Sequence, residues 1–205
     1  MKNKDKIDCC FLIPNNSKKS YQKLSETYSA IEPPTWALLL AESIRSIGFK
    51  PSIIDANAEN LSEEQIYDKI KKSSPSLVCL VVYGQNVNAG TTNMSGAVSL
   101  SSFIKKKNQD TKICFIGSHV QALPVETLKK EKSIDFVFTN EAVYALRNVL
   151  KLKSLDTNLL CKIKGIAYRE KNNIILNPPE KVVPTDRMDL DLPGYAWDLL
   201  PFKNK

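Results

Sequence analysis

The sequence predicts a doubly wound α/β fold: a five-stranded parallel sheet with helices on both faces, then a β-hairpin and an extended linker. Three observations predict it. Short apolar runs alternate along the chain with segments of helical period. Four of the five runs are continuous rather than alternating, as strands covered on both faces should be. After Lys151 the pattern changes to two short β segments and a proline-rich stretch.

Taken in order, strands are expected over residues 7–13, 52–55, 77–83, 112–116 and 135–138, and helices over 36–47, 62–72, 93–107, 125–130 and 141–151. Gly48 follows the first helix where a left-handed cap is wanted, and Ser62 with Gln65 has capping-box spacing for the second. Pro75 stands just before the third strand, where a helix cannot easily continue. These elements make a Rossmann-like domain over residues 1–152. Segments 165–169 and 174–176 flank a polar turn at 170–173 and read as a hairpin. Pro178, Pro179, Pro184 and Pro193 lie among charges and lead to the apolar 195–201, so 153–205 is expected to be hairpin and linker.

The 205 residues, 42% of them hydrophobic, are enough for one well-buried core and an appendage. The formal charge of +7 comes mainly from lysines scattered over helix faces, with Lys105, Lys106 and Lys107 at a helix end where the dipole favours them. No basic stripe interleaved with aromatics accompanies this charge, so no nucleic-acid partner is expected. Cys9, Cys10, Cys79, Cys114 and Cys161 form an odd set without C-x-x-C spacing, and the first four lie in apolar runs. Buried free thiols in a reducing compartment account for them. The apolar 9–13 is too short for a signal segment and no run reaches membrane-spanning length, so a cytoplasmic protein without a membrane partner is expected.

In an open parallel sheet, ligands bind beyond the carboxyl ends of the strands. The loop after the first strand, 14–34, is far longer than common βα connections, and excess length of that kind goes with function or disorder. Pro33, Pro34, Thr35 and Trp36 then launch the helix. The plain alternative is ordinary helix entry, with Thr35 as cap and Trp36 as core filler. After the third strand, Gly84, Gln85, Asn86 and Val87 open a loop rich in amides and free of charge, which suits a large neutral ligand bearing carboxamides better than phosphate. After the fourth come Gly117, Ser118, His119, Val120, Gln121 and Ala122, where Gly117 is expected to admit a ligand close to the backbone. His119 is the only histidine. With no carboxylate or cysteine cluster at ligand spacing, a hydrogen-bonding or structural role is preferred to metal ligation or general-base work. No Ser, His and Asp arrangement, G-x-G-x-x-G turn or P-loop is present, which disfavours nucleophilic catalysis, dinucleotides and nucleoside triphosphates.

Together these loops resemble the amino-terminal cobalamin-binding domain of cobalamin-dependent radical S-adenosylmethionine enzymes. The family's Pro-Pro helix entry is matched by Pro33 and Pro34, its Gly-hydrophobic helix end by Gly48 and Phe49, and its strand stopping at Asp-Ala by Asp55 and Ala56. Its fourth-strand loop reads Gly-Gly-Pro-His and, further on, Leu-Pro-Glu. The segment from Gly117, Ser118 and His119 to Leu123, Pro124 and Glu126 is similar. The family's Gly-Glu-Gly-Glu after the fifth strand is met by Asn140, Glu141, Ala142 and Val143, a match only at Glu141. The tail looks like the hairpin and bridge that lead into the radical barrel.

The resemblance implies that Pro34, Thr35, Trp36, Gly84–Val87, Gly117–Ala122, Asn140, Glu141 and Ala142 line a corrin. Three departures qualify it. Ser118, Asn140 and Ala142 replace glycines, which puts the pocket shape in question. No D-x-H-x-x-G motif follows the first strand, and the radical enzymes commonly lack it too, which implies no histidine on cobalt and a displaced nucleotide tail. No C-x3-C-x2-C motif occurs, so no iron–sulfur cluster of that type is expected on this chain. The chain should not cleave S-adenosylmethionine alone. A radical barrel, attached or separate, is expected to dock near Tyr195–Phe202 and to support chemistry of the methyltransferase type. The alternatives are a non-enzymatic regulatory or scaffold module that kept the fold and lost the ligand, and a Rossmann-like enzyme acting on a nucleotide or sugar.

Overall fold

The computed structural model describes residues 6–15, 32–83 and 87–201. The apolar runs become β1 (Cys9–Ile13), β2 (Pro51–Asp55), β3 (Leu77–Val81), β4 (Ile113–Ile116) and β5 (Phe136–Phe138). Between them lie α1 (Thr35–Arg45), α2 (Glu63–Ser73), α3 (Val87–Lys107), the short α4 (Ser118–Ala122) and α5 (Pro124–Lys130). Beyond β5 come α6 (Val143–Leu150), α7 (Thr157–Leu160), β6 (Ile166–Glu170) and β7 (Asn173–Leu176). One more helical turn, α8 (Met188–Asp191), lies in the tail.

The strands form one sheet in the order β2-β1-β3-β4-β5-β6-β7. The first four pairings are parallel, and the expected five-stranded parallel sheet is there. The hairpin does not stand apart from it: β6 pairs antiparallel with β5 and β7 with β6, so the sheet has seven strands. The reason lies in Ile166, Ala167 and Tyr168, which are as apolar as the parallel strands and find their burial only at the β5 edge.

Side-chain alternation explains the unbroken apolar runs. Cys9, Phe11, Cys79, Cys114 and Ile116 face α1 and α6 in one layer. Cys10, Leu12, Val78, Leu80, Ile113 and Phe115 face α2, α3 and α5 in the other. Each large side chain fully buried this way contributes roughly 1.5–3 kcal/mol. Burial raises the thiol of Cys10 to about 11, so it stays protonated as a small apolar group.

The punctuation holds in detail. Gly48 takes φ +89 past the end of α1, and its N–H reaches the carbonyl of Arg45 at 3.0 Å. Ser62 and Gln65 form the reciprocal capping box of α2. Three expectations change. Thr35 is not the cap of α1: Pro34 holds that position, and the Thr35 hydroxyl donates back to the Pro33 carbonyl at 3.3 Å. Helix α3 starts at Val87 rather than at 93, taking up half of the expected third-strand loop. The fourth-strand loop is itself helical, α4 running to Ala122 and Pro124 opening α5 as a first-turn proline.

The tail also departs from an extended linker. It folds back over α1 and α6 through helical turns at Thr185–Arg187, Met188–Asp191 and Trp197–Leu199. Val183 and Ala196 enter the core layer of those helices, and the Ala196 N–H donates to the Leu38 carbonyl at 3.3 Å. Arg45 grips Asp198 with two hydrogen bonds of 2.7 and 2.8 Å. Arg147, almost wholly buried on α6, donates to Asp191 Oδ1 at 2.6 Å and to the carbonyls of Asp191 and Ser43.

Candidate cofactor-binding site

Strand order reverses between β1 and β3, so the carboxyl ends of β1, β3, β4 and β5 open on the position where α/β sheets bind ligands. Tyr83, just past β3, is at its centre. Its ring meets Trp36 edge to face at 5.9 Å between centroids, and its hydroxyl accepts a 2.6 Å hydrogen bond from Nε2 of Gln121. Burial pushes the Tyr83 phenol up to about 12, against the Gln121 hydrogen bond, so it is neutral in ordinary buffer. Gln121 Nε2 also donates to the Asn140 carbonyl at 2.7 Å, tying the ends of β3, α4 and β5 together. Trp36 Nε1 donates to the Glu141 carbonyl at 3.2 Å.

The expected residues Trp36, Gln121, Asn140 and Glu141 thus form one connected, mostly neutral cluster, and Pro34 lies beside it at the start of α1. Ser118 and His119 form a second group against α3, with His119 Nδ1 3.2 Å from Thr91 Oγ1. Thr35 and Ala122 are exposed, while Val120 is fully buried in the core. Ala142 is also buried and takes φ +66. It keeps the left-handed turn of the glycine it stands for, held by its N–H donating to Asn140 Oδ1 at 3.0 Å. Gly84, Gln85 and Asn86, and residues 16–31 of the long first connection, lie outside the described residues. Of Val87 only its place at the head of α3 is described.

Gly117 has a cause within the fold itself, beside the ligand approach expected of it. A Cβ there would fall 2.1 Å from the Val82 carbonyl oxygen, so the glycine is required by the protein's own backbone. Gly90 on α3 is likewise filled from within: its Cβ position is 2.2 Å from Ser118 Oγ. Ser118 takes the place of the family's second glycine, and a glycine across from it makes the room. The Ser118 Oγ is buried with no hydrogen-bond partner among the described residues, an orphaned hydroxyl at the head of α4.

Sequence reading missed the tail's part in the site. Asn140 Nδ2 donates to the Glu180 carbonyl at 2.9 Å, and Glu141 Oε1 accepts from the Val183 N–H at 2.5 Å. The partners are about forty residues apart, and no local pattern links them. Tyr83 was legible only as a strand end.

A family model described as the B12 binding domain matches residues 22–150. The chain belongs to the B12-binding domain family. A curated relative of this B12-binding domain is the anaerobic magnesium-protoporphyrin IX monomethyl ester cyclase of Rubrivivax gelatinosus. It is 24% identical over 175 residues, which are 83% of this chain and 30% of the relative. Among solved structures, the cobalamin-dependent S-adenosylmethionine radical enzyme OxsB, with aqua-cobalamin and S-adenosylmethionine bound, superposes with a TM-score of 0.68 at 18% identity. The match covers 94% of this chain and 24% of that one. The radical S-adenosylmethionine methyltransferase TsrM from Kitasatospora setae, with tryptophan substrate and an S-adenosylmethionine analogue bound, gives 0.62 at 15% identity, over 83% and 30%. The B12-binding domain described here spans less than a third of each relative's length.

The site's chemistry fits the family's ligand. The strand ends present amide, hydroxyl and imidazole groups, with the unpartnered Ser118 hydroxyl among them, as a carboxamide-bearing ring requires. Among the described residues no three His, Cys, Asp or Glu side chains gather to hold a metal ion, and no helix is long and apolar enough to cross a membrane.

Proposed function

We propose that this B12-binding domain holds cobalamin over the carboxyl ends of β1, β3, β4 and β5, with no histidine on the cobalt, and serves an enzyme of the radical S-adenosylmethionine methyltransferase type. The observation that carries the reading is the Trp36, Tyr83, Gln121, Asn140 cluster, a neutral hydrogen-bonded platform at the sheet's switch point. Cobalamin, when bound, supplies a reactive cobalt–carbon bond. The chain's own residues bind and orient: Ser118 offers its hydroxyl, Gln121 keeps Tyr83 turned into the protein, and Trp36 closes the side next to α1. His119 stays a hydrogen-bonding partner of Thr91.

In this reading residues 1–152 are the cofactor unit, and 153–205 join it to a radical barrel that carries the iron–sulfur cluster. Tyr195 and Trp197, 45% and 43% exposed, with ring centroids 5.5 Å apart and planes tilted by 33°, are the apolar side chains on which that barrel would dock. The test is to incubate the 205-residue protein with hydroxocobalamin, remove free ligand, and record the visible spectrum. Retained corrin absorbance, unchanged in His119→Gln together with the electron paramagnetic signature of the reduced cobalt, is the expected result. A folded protein that retains no corrin overturns cobalamin binding. A spectrum altered by His119→Gln overturns the histidine-free ligation.

A further inference from the structure

On the flank of the sheet, between α6 and the returning tail, lies a cavity of about 330 Å³. Its lining includes Tyr144, Arg147, Lys151, Lys181, Arg187 and Asp191, so four positive charges face one negative. That one carboxylate is already saturated. Asp191 accepts from Arg147 at 2.6 Å, from the Tyr144 hydroxyl at 2.6 Å, and from Arg187 at 3.2 Å. Lys151 and Lys181 form no ion pair among the described residues. Lys181 instead holds its Nζ 5.0 Å from the centre of the Tyr144 ring, a position that keeps the ammonium turned to the cavity wall. At the rim, Glu180 Oε2 is occupied by Asn148 at 3.4 Å.

Like charges brought into one concave space repel unless an anion enters, and low-dielectric walls strengthen the effect. A monovalent ion would neutralise only part of this set. We propose that the cavity is a binding site for a multiply charged phosphate group, gripped by Lys151 and Lys181 over a floor made by Arg147. Arginine and lysine act differently on this ligand: the Arg147 guanidinium, its donors engaged by Ser43, Ser46 and Asp191, adds positive field, and the ammonium groups give mobile donors and charge. Ile47 and Lys151, which line it, follow the carboxyl ends of α1 and α6. The site is therefore on the opposite side of the fold from the strand ends, and it depends in no way on cobalamin.

The experiment follows backbone amide resonances of the full chain while inorganic phosphate, pyrophosphate or ATP is added, each against sodium chloride of equal ionic strength. Saturable shifts at Asn148, Lys151 and Lys181 with pyrophosphate are expected, with affinity about tenfold lower in the Lys151→Gln, Lys181→Gln double variant, in which both substitutions are at exposed positions. Tighter binding of ATP than of pyrophosphate assigns the group to a nucleotide, and equal or weaker binding assigns it to an inorganic or small phosphate compound. Shifts that sodium chloride reproduces, no saturable shift at all, or undiminished binding by the double variant would each overturn the site.

Discussion

Two glycines lie close to the head of α4, one facing Val82 and the other Ser118, and they tolerate a methyl group very differently. A Cβ at position 117 meets the rigid Val82 carbonyl at 2.1 Å, whereas one at position 90 meets the Ser118 hydroxyl, which can rotate away. Gly117→Ala is expected to cost about 3 kcal/mol, the upper end for a forced fit in a packed interior. Gly90→Ala should cost about 1 kcal/mol, and Ser118→Gly in the same chain should recover most of it. Urea denaturation of the four proteins measures all three values. An equal loss for the two alanine variants would show that the Val82 carbonyl is not the obstacle. At this scale the sequence was a partial guide: it marked Gly117 as a close approach but could not tell ligand from backbone, because only the fold brings Val82 to it.

At the scale of elements, the apolar runs and helix punctuation were legible because each depends on neighbours in sequence. The capping box of α2 and the turn after α1 are local hydrogen-bond patterns and needed nothing from the tertiary fold. The starts of α3 and α4 were not legible. Their polar, small residues read as loop, and the close approach of Gly90 to Ser118 arises only in the fold. The docking of β6 on β5 was hidden for the same reason, since apolar content shows that a hairpin needs cover but not what gives it. Within that hairpin, Lys171 is exposed at φ +53, where a side chain is strained. Lys171→Gly is expected to raise stability by about 0.5–1 kcal/mol, read as a higher urea midpoint at unchanged slope. A lower midpoint would mean that the lysine makes up for its own strain.

For the whole molecule, the seal between sheet and tail is electrostatic at its centre. The Tyr144 hydroxyl, then Arg187 and Arg147, hold the Asp191 carboxyl well below the usual carboxylate range, against the desolvation that opposes it. The folded state therefore binds this proton less readily than the unfolded chain does. The resulting stability is complete above about pH 5 and is lost as pH falls towards 2. Asp191→Asn should flatten this acid limb and lower stability at neutral pH. Asp191→Ala, which leaves Arg147 buried and unpaired, should cost about 3–5 kcal/mol. Denaturation midpoints measured across pH test both, and an acid limb as steep in Asp191→Asn as in the parent would remove Asp191 from the account.

The clasp between Arg45 and Asp198 joins residues 153 positions apart. During synthesis α1 leaves the ribosome long before Asp198 exists, so the clasp can close only after the whole intervening stretch has been made. Until then Arg45 has only Glu42, Arg147 only Ser43 and Ser46, and the Leu38 carbonyl lacks its tail donor, so the parallel strands assemble with that layer still open to water. Along α1 and α6 the nascent domain thus offers chaperones and proteases an uncovered face until the tail returns.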